Sequence, residues 1–233
     1  MAQRRPAPAR AFATLDRRRP RTLSLHLPAP LAVGTATVRV APLRVGSGLS
    51  TWTVSVADGA GGVCAHAVVL TGRPRVPDLI AHARSWPTAQ PPSIPAWTDV
   101  PVLTSGVPGM PTFLQHLELR PVQGLPLQGE QARCLGHVRL ADQGAWDVQH
   151  LVAVIDAWWP TVLTVLPSIR PLATVTYAAH VLVDPSTIPG TEPLVYEASM
   201  AGTESGFTTE TRRLWTPDGR LAVENHQSIV VIA

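Results

Sequence analysis

The sequence contains no lysine: all 19 basic residues among its 233 are arginine, which indicates a GC-rich bacterial genome rather than a special chemistry. Charged residues are scarce at 15%, whereas hydrophobic residues make up 45%. The sequence nevertheless lacks an apolar run of the about 20 residues that a membrane-spanning helix needs. Its longest apolar stretch, from Leu151 to Leu166, is interrupted by Asp156 and Pro160. We therefore predict a soluble globular protein with no membrane association.

Cysteine is also scarce, and the two residues Cys64 and Cys134 form no CxxC pair. This usage is typical of a reducing cytoplasm, with both thiols serving as small buried hydrophobes. The Arg-rich start has no apolar segment of the kind that secretory signals contain, which also favours the cytoplasm. The histidines show no metal-ligand spacing, and no GxSxG elbow, P-loop or Rossmann fingerprint occurs. We expect no metal and no cofactor, and neither a serine hydrolase nor a nucleotide enzyme.

The positive charge is concentrated at the N-terminus. Seven arginines lie in the first 21 residues, where Asp16 is the only acid, and the rest of the chain carries 12 arginines against 15 acids. Such an arm could contact nucleic acid or an anionic surface. Because Phe12 is the only aromatic residue among these arginines and lysine is absent, a solvated segment is favoured and no nucleic-acid partner is expected.

Two sets of period-two strands are separated by a proline-rich segment. Turn residues at hairpin distances indicate that each set is antiparallel. The first set comprises 21–27, 35–43, 49–56 and 63–70, and the second comprises 113–119, 131–140, 173–183, 194–201, 207–215 and 221–232. Residues 73–111 between them are predicted to be a linker, which packs against the protein through Trp86 and Trp97.

One strong helix signal lies in the second half. Asp147 is a suitable N-cap, and apolar residues recur at helical spacing from Val148 to Trp159. Pro160 is expected to kink or restart the helix, which continues for a further turn to Leu166.

The two halves also echo each other about 150 to 160 positions apart: the Thr22 strand matches the Thr174 strand, and Gly48 matches Gly206. The Asp-Gly turns at 58–59 and 218–219 match as well. This order predicts a duplicated α+β unit, in which a long helix packs on a curved antiparallel sheet.

Several motifs in the second half resemble one family in their order and spacing. They are Asp-Ala-Trp-Trp-Pro (156–160), Leu-Ala-Thr-Val-Thr (172–176), Ser-Gly-Phe (205–207), Leu-Trp-Thr-Pro-Asp-Gly-Arg-Leu (214–221) and Gln227. The chain resembles the thioesterase II-like, double-hotdog acyl-CoA thioesterases, best over Phe113 to Ala233 and more weakly over Arg21 to Gly72.

This resemblance implies a tandem hotdog fold. The partial first hotdog would span residues 21–72, preceded by a basic arm or helix remnant over 1–20, and the second would span 112–233. The resemblance also implies an acyl-CoA or related thioester substrate, within fatty acid metabolism. Its active carboxylate, hydroxyl and amide correspond to Asp156, Thr174 and Gln227, and water attacks directly without a covalent acyl-enzyme.

The three residue types suit this chemistry independently of the family. A carboxylate can take a proton from water as a general base, while an amide and a hydroxyl can hold that water near a carbonyl carbon. Each residue also has a plain alternative: Asp156 could face solvent before Pro160, and Thr174 and Gln227 could be ordinary strand residues. His226 should point to the sheet face opposite Gln227, which makes it an edge or surface residue rather than the base.

The first half departs from the family because it lacks the initial strand and most of the helix, of which only Ala9 to Leu15 resembles a remnant. The apolar sheet face would then be bare. We favour an upstream start codon as the explanation; cover by the proline-rich segment or by a second copy of the chain are the alternatives. Since His66-Ala67-Val68 stands where a counterpart of Gln227 would lie, one active site per chain is expected.

Two other functions remain open on the sequence. A non-catalytic hotdog module that binds acyl or CoA esters would suit an incomplete first half. A hotdog hydratase or dehydratase would need an Asp/His pair in a hydratase motif, which the sequence does not contain. Fold resemblance alone does not choose among these functions.

Overall fold

A computed structural model of the chain describes residues 18–75, 89–103, 111–129, 131–142 and 144–232. Most of the predicted basic arm, with its helix remnant, and Trp86 lie outside these residues. The described part contains ten strands and two short α-helices. The strands are β1 (Arg19–His26), β2 (Thr37–Val45), β3 (Leu49–Ala57), β4 (Val63–Gly72), β5 (Leu117–Gln123), β6 (Arg133–Leu140), β7 (Leu172–Val181), β8 (Leu194–Glu204), β9 (Phe207–Trp215) and β10 (Leu221–Val231), and the helices are α1 (Val148–Val154) and α2 (Val162–Val165).

The chain divides into two compact units. The first contains β1 to β4 together with Val175–Ala178 from the middle of β7. Its strands lie in the order β2-β3-β4-β1 and pair antiparallel. Val54, Ala67 and Val69 form its buried cluster, against which partly buried side chains of β1 and β2 pack. No helix occurs in the described residues 18–75 of this unit, whereas the resemblance implies one.

The second unit comprises residues 90–174 and 179–233 and contains both α-helices. Its strands lie in the order β7-β10-β9-β8-β6-β5. The four strands β7 to β10 therefore repeat the neighbour order of β1 to β4, as the sequence echo predicts. Strands β5 and β6 have no counterpart in the described part of the first unit.

The hairpin turns lie where glycine and aspartate predict them. Asp58 closes the β3–β4 turn because its Oδ1 accepts hydrogen bonds from the backbone N–H groups of Ala60 and Gly62, at 3.0 and 2.8 Å. Gly219 in the β9–β10 turn has φ +80°, a conformation that glycine adopts without steric cost. These turns fix the register of both hairpins.

The long helix predicted from Val148 through Trp159 is wrong, because the structure has two short helices instead. Asp147 is the N-cap of α1, as predicted, and accepts a 2.7 Å hydrogen bond from the backbone N–H of His150. Helix α1 ends at Val154, six residues before Pro160, and α2 begins at Val162. Pro160 thus precedes the restart, but the first helix ends earlier, where a side chain from β9 binds carbonyl groups just beyond α1.

The strand predicted over Phe113 to Leu119 is wrong in its first half. Residues Thr112–His116 form a 3₁₀ helix, and β5 begins only at Leu117. Ahead of it, the prediction that Trp97 packs against the protein is confirmed: its ring lies beneath the Arg120 and Arg139 guanidinium groups, at 4.3 and 4.9 Å from the ring centroid. Residues 89–103 are thereby attached to β5 and β6.

Across the described ranges, no helix is both long enough and apolar enough to cross a membrane.

Candidate active site

Strand β10 directs Gln227 into the protein. Side chains alternate along the strand, so that Val223, Asn225, Gln227 and Ile229 are buried while His226 is exposed. The prediction that His226 faces away from Gln227 is confirmed. The Gln227 residue is only 2% exposed, which requires that its amide find partners inside the protein.

The three residues predicted for the site lie together in the second unit. The Thr174 hydroxyl, near the start of β7, donates to Gln227 Oε1 at 3.2 Å. Gln227 Nε2 donates to Asp156 Oδ1 at 2.6 Å and to Asn225 Oδ1 at 2.9 Å. This orientation of the amide is the one that gives the carboxylate a donor. Both N–H groups of the amide are therefore in use, and the three side chains form one hydrogen-bonded chain.

Asp156 lies in the break between α1 and α2, and its two carboxylate oxygens accept different numbers of hydrogen bonds. Arg212 Nη1 donates to Oδ1 at 3.0 Å, so this oxygen accepts from both Arg212 and Gln227. No described residue donates to Oδ2. Because solvent reaches 47% of the Asp156 side chain, Oδ2 is the oxygen that can contact water.

The Asp156 carboxyl is both solvent-accessible and enclosed by protein. Burial raises its pKa above the ordinary value, and the Glu210 carboxylate adds to the rise, while Arg212 and the Gln227 hydrogen bond lower it; the net direction is upward. The Asp156 side chain is 47% exposed, so solvent and protein both contact it, and the protein contacts account for the raised pKa. A raised pKa makes the carboxylate a better proton acceptor.

Two charged residues of the site were missed by sequence reasoning. Glu210 and Arg212 on β9 are 2% and 1% exposed, and their side chains form an ion pair. Glu210 Oε2 accepts hydrogen bonds from the backbone N–H and the hydroxyl of Thr161, at 2.8 and 2.7 Å. The signal was present, because both residues share the β9 face of Leu214, which the alternating pattern turns inward.

An apolar cavity of about 630 Å³ opens beside the break between the helices. Ala157, Trp158 and Trp159, the three residues that follow Asp156, all contribute to its wall. The remaining wall is also mostly apolar and includes Phe113, Leu114, Leu125, Leu163 and Ile169. A cavity of this size and polarity is typical of sites for small apolar ligands.

Other groups are poorly suited to act as nucleophile or metal ligand. Cys64 and Cys134 are free and buried, as predicted. Burial, with a contribution from Glu210, raises the pKa of the Cys134 thiol to about 12, so this residue is not a thiolate nucleophile. Among the residues that the structure describes, no three His, Cys, Asp or Glu side chains come together as a metal site.

Comparison with protein families identifies the chain. A model of the acyl-CoA thioesterase C-terminal domain matches residues 87–231, and the N-terminal domain model of the same family matches residues 6–72. The chain belongs to the acyl-CoA thioesterase family. A search of curated proteins gave no significant match.

Solved structures similar to this thioesterase-family chain establish its fold. A protein of unknown function with a hotdog fold, from Alicyclobacillus acidocaldarius, is 24% identical with a TM-score of 0.81 over 92% of this chain and 79% of that chain. The acyl-CoA thioesterase II TesB2 of Mycobacterium marinum is 16% identical with a TM-score of 0.69, over 95% and 84%. The TesB protein of Mycobacterium avium subspecies paratuberculosis is 15% identical with a TM-score of 0.73, over 100% and 92%. The hotdog fold and the resemblance to thioesterase II proteins are confirmed.

Proposed function

We propose that the chain is an acyl-CoA thioesterase that hydrolyses its substrate to a free acid and CoA at a single site in the second unit. The observation that carries the proposal is the hydrogen-bonded chain from Thr174 through Gln227 to Asp156, whose next residues in the sequence, from Ala157 to Pro160, line an apolar cavity. We further propose that the two units form a tandem hotdog with an incomplete first member over residues 21–72. The repeated neighbour order of the strands supports this arrangement.

Asp156 acts as the general base. Its Oδ2 takes a proton from a water molecule while the water oxygen bonds to the thioester carbonyl carbon. The tetrahedral intermediate then expels the CoA thiolate as the C–S bond breaks, and the thiolate takes up the proton that Asp156 removed from water, which restores the carboxylate. Since a thioester is already activated, an oriented water and one base are sufficient, and no covalent acyl-enzyme forms.

Gln227 and Thr174 hold the base in place. Because both Gln227 N–H groups bond to protein oxygens, the amide orients Asp156 rather than binding the water directly. The Thr174 hydroxyl donates a hydrogen bond to Gln227 Oε1, and the hydroxyl oxygen can still accept a hydrogen bond from the attacking water. These roles differ from the sequence-based hypothesis, in which all three side chains contact the same water.

The acyl group occupies the apolar cavity. Ala157, Trp158 and Trp159 follow the base in the sequence and belong to the cavity wall, which supports this placement of the acyl chain. Trp158 stacks on Tyr196 at a ring-centroid distance of 4.5 Å, which fixes the position of this part of the wall. Free cysteines and the thioester substrate are consistent with a cytoplasmic enzyme of fatty acid metabolism.

The test is release of free thiol from a series of saturated acyl-CoAs by the wild type and by Asp156→Asn. Asparagine keeps an oxygen that can accept from Arg212 and Gln227, but it cannot take a proton. We expect kcat to fall about 10²–10⁴-fold with little change in KM. Asp147→Asn, the same substitution at the other end of α1, keeps a good N-cap and should retain wild-type rates.

Equal rates for the wild type and Asp156→Asn would refute the assigned base. A wild-type chain that binds acyl-CoA saturably without releasing thiol would instead support the non-catalytic binding function.

A further inference from the structure

The break between α1 and α2 is held by a buried ion pair from the sheet. Arg212 Nη1 donates to the backbone carbonyls of Ile155 and Trp158, both at 3.3 Å, so it satisfies carbonyl groups just beyond α1. Glu210 accepts the backbone N–H and hydroxyl of Thr161, the residue before α2. The pair therefore binds the segment on both sides of Asp156.

The same pair governs the carboxylate itself. Arg212 Nη1 contacts Asp156 Oδ1, while the guanidinium group also pairs with Glu210. A planar guanidinium group held at several of its nitrogens has little freedom to turn. It can therefore fix Oδ1 in one direction and leave Oδ2 toward solvent.

We propose that Arg212 and Glu210 are positioning residues for the reaction: Arg212 fixes the direction and charge state of the Asp156 carboxylate, and Glu210 fixes Arg212 and moderates its charge. This inference rests on the proposed function, in which Asp156 is the base. Neither residue contacts the reacting atoms.

The two residues act on Asp156 in opposite directions. The positive charge of Arg212 lowers the pKa of the Asp156 carboxyl, and the negative charge of Glu210 raises it, with Arg212 having the larger effect. The other titratable groups near the ion pair are Tyr196 on β8 and Cys134 on β6. Burial raises the pKa of both, to about 12 for Cys134 and well above the ordinary value for Tyr196, so both stay neutral over a normal assay range.

Three variants separate charge-setting from a merely structural role. Glu210→Gln removes the negative charge at constant side-chain size, and Arg212→Gln removes the positive charge together with the guanidinium donors that hold Asp156. The double variant removes both charges and leaves no unpaired buried charge. Arg213→Gln and Glu224→Gln are the matched controls, because Arg213 follows Arg212 on β9 and its ion pair with Glu224 of β10 is partly exposed, at 34% and 27% of the side chains.

The first readout is the acidic limb of the kcat/KM profile against pH, which reports the free-enzyme base. We expect the limb to move to lower pH in Glu210→Gln and to higher pH in Arg212→Gln. In the double variant it should also lie above the wild-type position, because Arg212 has the larger effect. Arg212→Gln should also lose on the order of 10²-fold in kcat, since the base is no longer held. The two controls should leave the limb where it is.

The second readout does not need activity. The Asp156 carboxyl carbon is titrated by ¹³C NMR in aspartate-labelled protein, and its signal is assigned by its absence in Asp156→Asn. Opposite shifts of its midpoint in the two single variants support the inference even if no acyl-CoA is hydrolysed, a result that would refute only the proposed function.

An unchanged midpoint in the double variant, shifts of one sign in both single variants, or equal shifts in the controls would overturn it. If either single variant fails to fold, the double variant against wild type decides.

Discussion

Glu210→Gln tests how much the buried ion pair between Glu210 and Arg212 contributes to the free energy of unfolding. The substitution keeps the size of the side chain, and its amide oxygen can still accept from Thr161. However, the new amide N–H₂ group would face the guanidinium donors of Arg212, which leaves a buried cation facing another donor. Removing one partner of a buried ion pair costs about 3–5 kcal/mol. In this variant the desolvated guanidinium keeps only the partly exposed Asp156 carboxylate as a counter-charge.

Glu224→Gln is the control for this measurement. Glu224 pairs with Arg213 at 2.7 Å, but the side chains are 27% and 34% exposed, so solvent can replace the lost partner. We expect a loss of at most about 1 kcal/mol. The two substitutions are chemically identical and lie on neighbouring strands, which isolates burial as the variable.

Urea unfolding at neutral pH measures both changes. With a slope of about 2.5 kcal/mol per M, the Glu210→Gln midpoint should fall by about 1–2 M and that of Glu224→Gln by less than about 0.5 M. Similar midpoints for the two variants would mean that Glu210 is hydrated or Arg212 is mobile. Either explanation would contradict the description of Glu210 and Arg212 as a buried ion pair that holds the segment between the two helices.

Three further predictions concern other parts of the second unit. Leu163→Trp should narrow the apolar cavity and raise KM for the longest accepted acyl-CoA, while KM for short acyl-CoAs stays unchanged in thiol-release kinetics. Because each methylene group displaced from the cavity loses about 0.8 kcal/mol of burial, KM should rise about fourfold for each one. Tyr196→Phe removes a buried hydroxyl that no described residue pairs with, so denaturant unfolding should show no loss, or a gain of up to about 1 kcal/mol; a larger loss would reveal a partner such as bound water. Burial raises the pKa of Glu118, but the hydrogen bonds and positive charges of Arg120 and Arg139 outweigh it, so that the net pKa lies below the ordinary value of a glutamate. A carboxyl whose pKa is lower in the folded state stabilises the fold at any pH above its pKa in the unfolded chain. The excess free energy of unfolding of the wild type over Glu118→Gln should therefore be complete at neutral pH and disappear as the pH falls through the folded-state pKa. Urea unfolding at several pH values measures this change.

The strands of the fold were predictable because alternation is a local property of the chain. Strand β9 has the bounds predicted from sequence, Phe207 to Trp215, since its turn residues and its two faces are both explicit in the residues. The segment from Phe113 to His116 was misassigned because a short apolar run does not distinguish a strand from a 3₁₀ helix.

The helix was predicted too long for a different reason. Trp158 is buried, as a helical pattern requires, but it reaches the interior from a non-helical turn. Burial gives the same sequence pattern in both cases. What distinguishes them is the hydrogen bonding of the backbone to Arg212 and Glu210, residues 54 and 49 positions away from their partners, which no local pattern contains.

The candidate site was likewise found only in part. Asp156, Thr174 and Gln227 came from the resemblance to a family, and in the structure Gln227 is hydrogen-bonded to each of the other two. Glu210 and Arg212 were missed because charged residues on a strand are usually solvated. Glu210 and Arg212 alternate with the same period as Leu214, which predicts that they share its face of β9. This pattern indicates burial only when it is known that other elements pack on that face.

The ion pair at the helix break also constrains how the chain can change over evolutionary time. A substitution at position 212 alone leaves Glu210 as an unpaired buried charge and releases carbonyl groups on both sides of the base. A substitution at position 210 alone leaves Arg212 with only the partly exposed Asp156 as a counter-charge and releases Thr161. A simultaneous exchange for two uncharged residues avoids that penalty. We therefore expect these positions to vary together among relatives, and lineages that have lost the pair to cap the broken helix with different side chains.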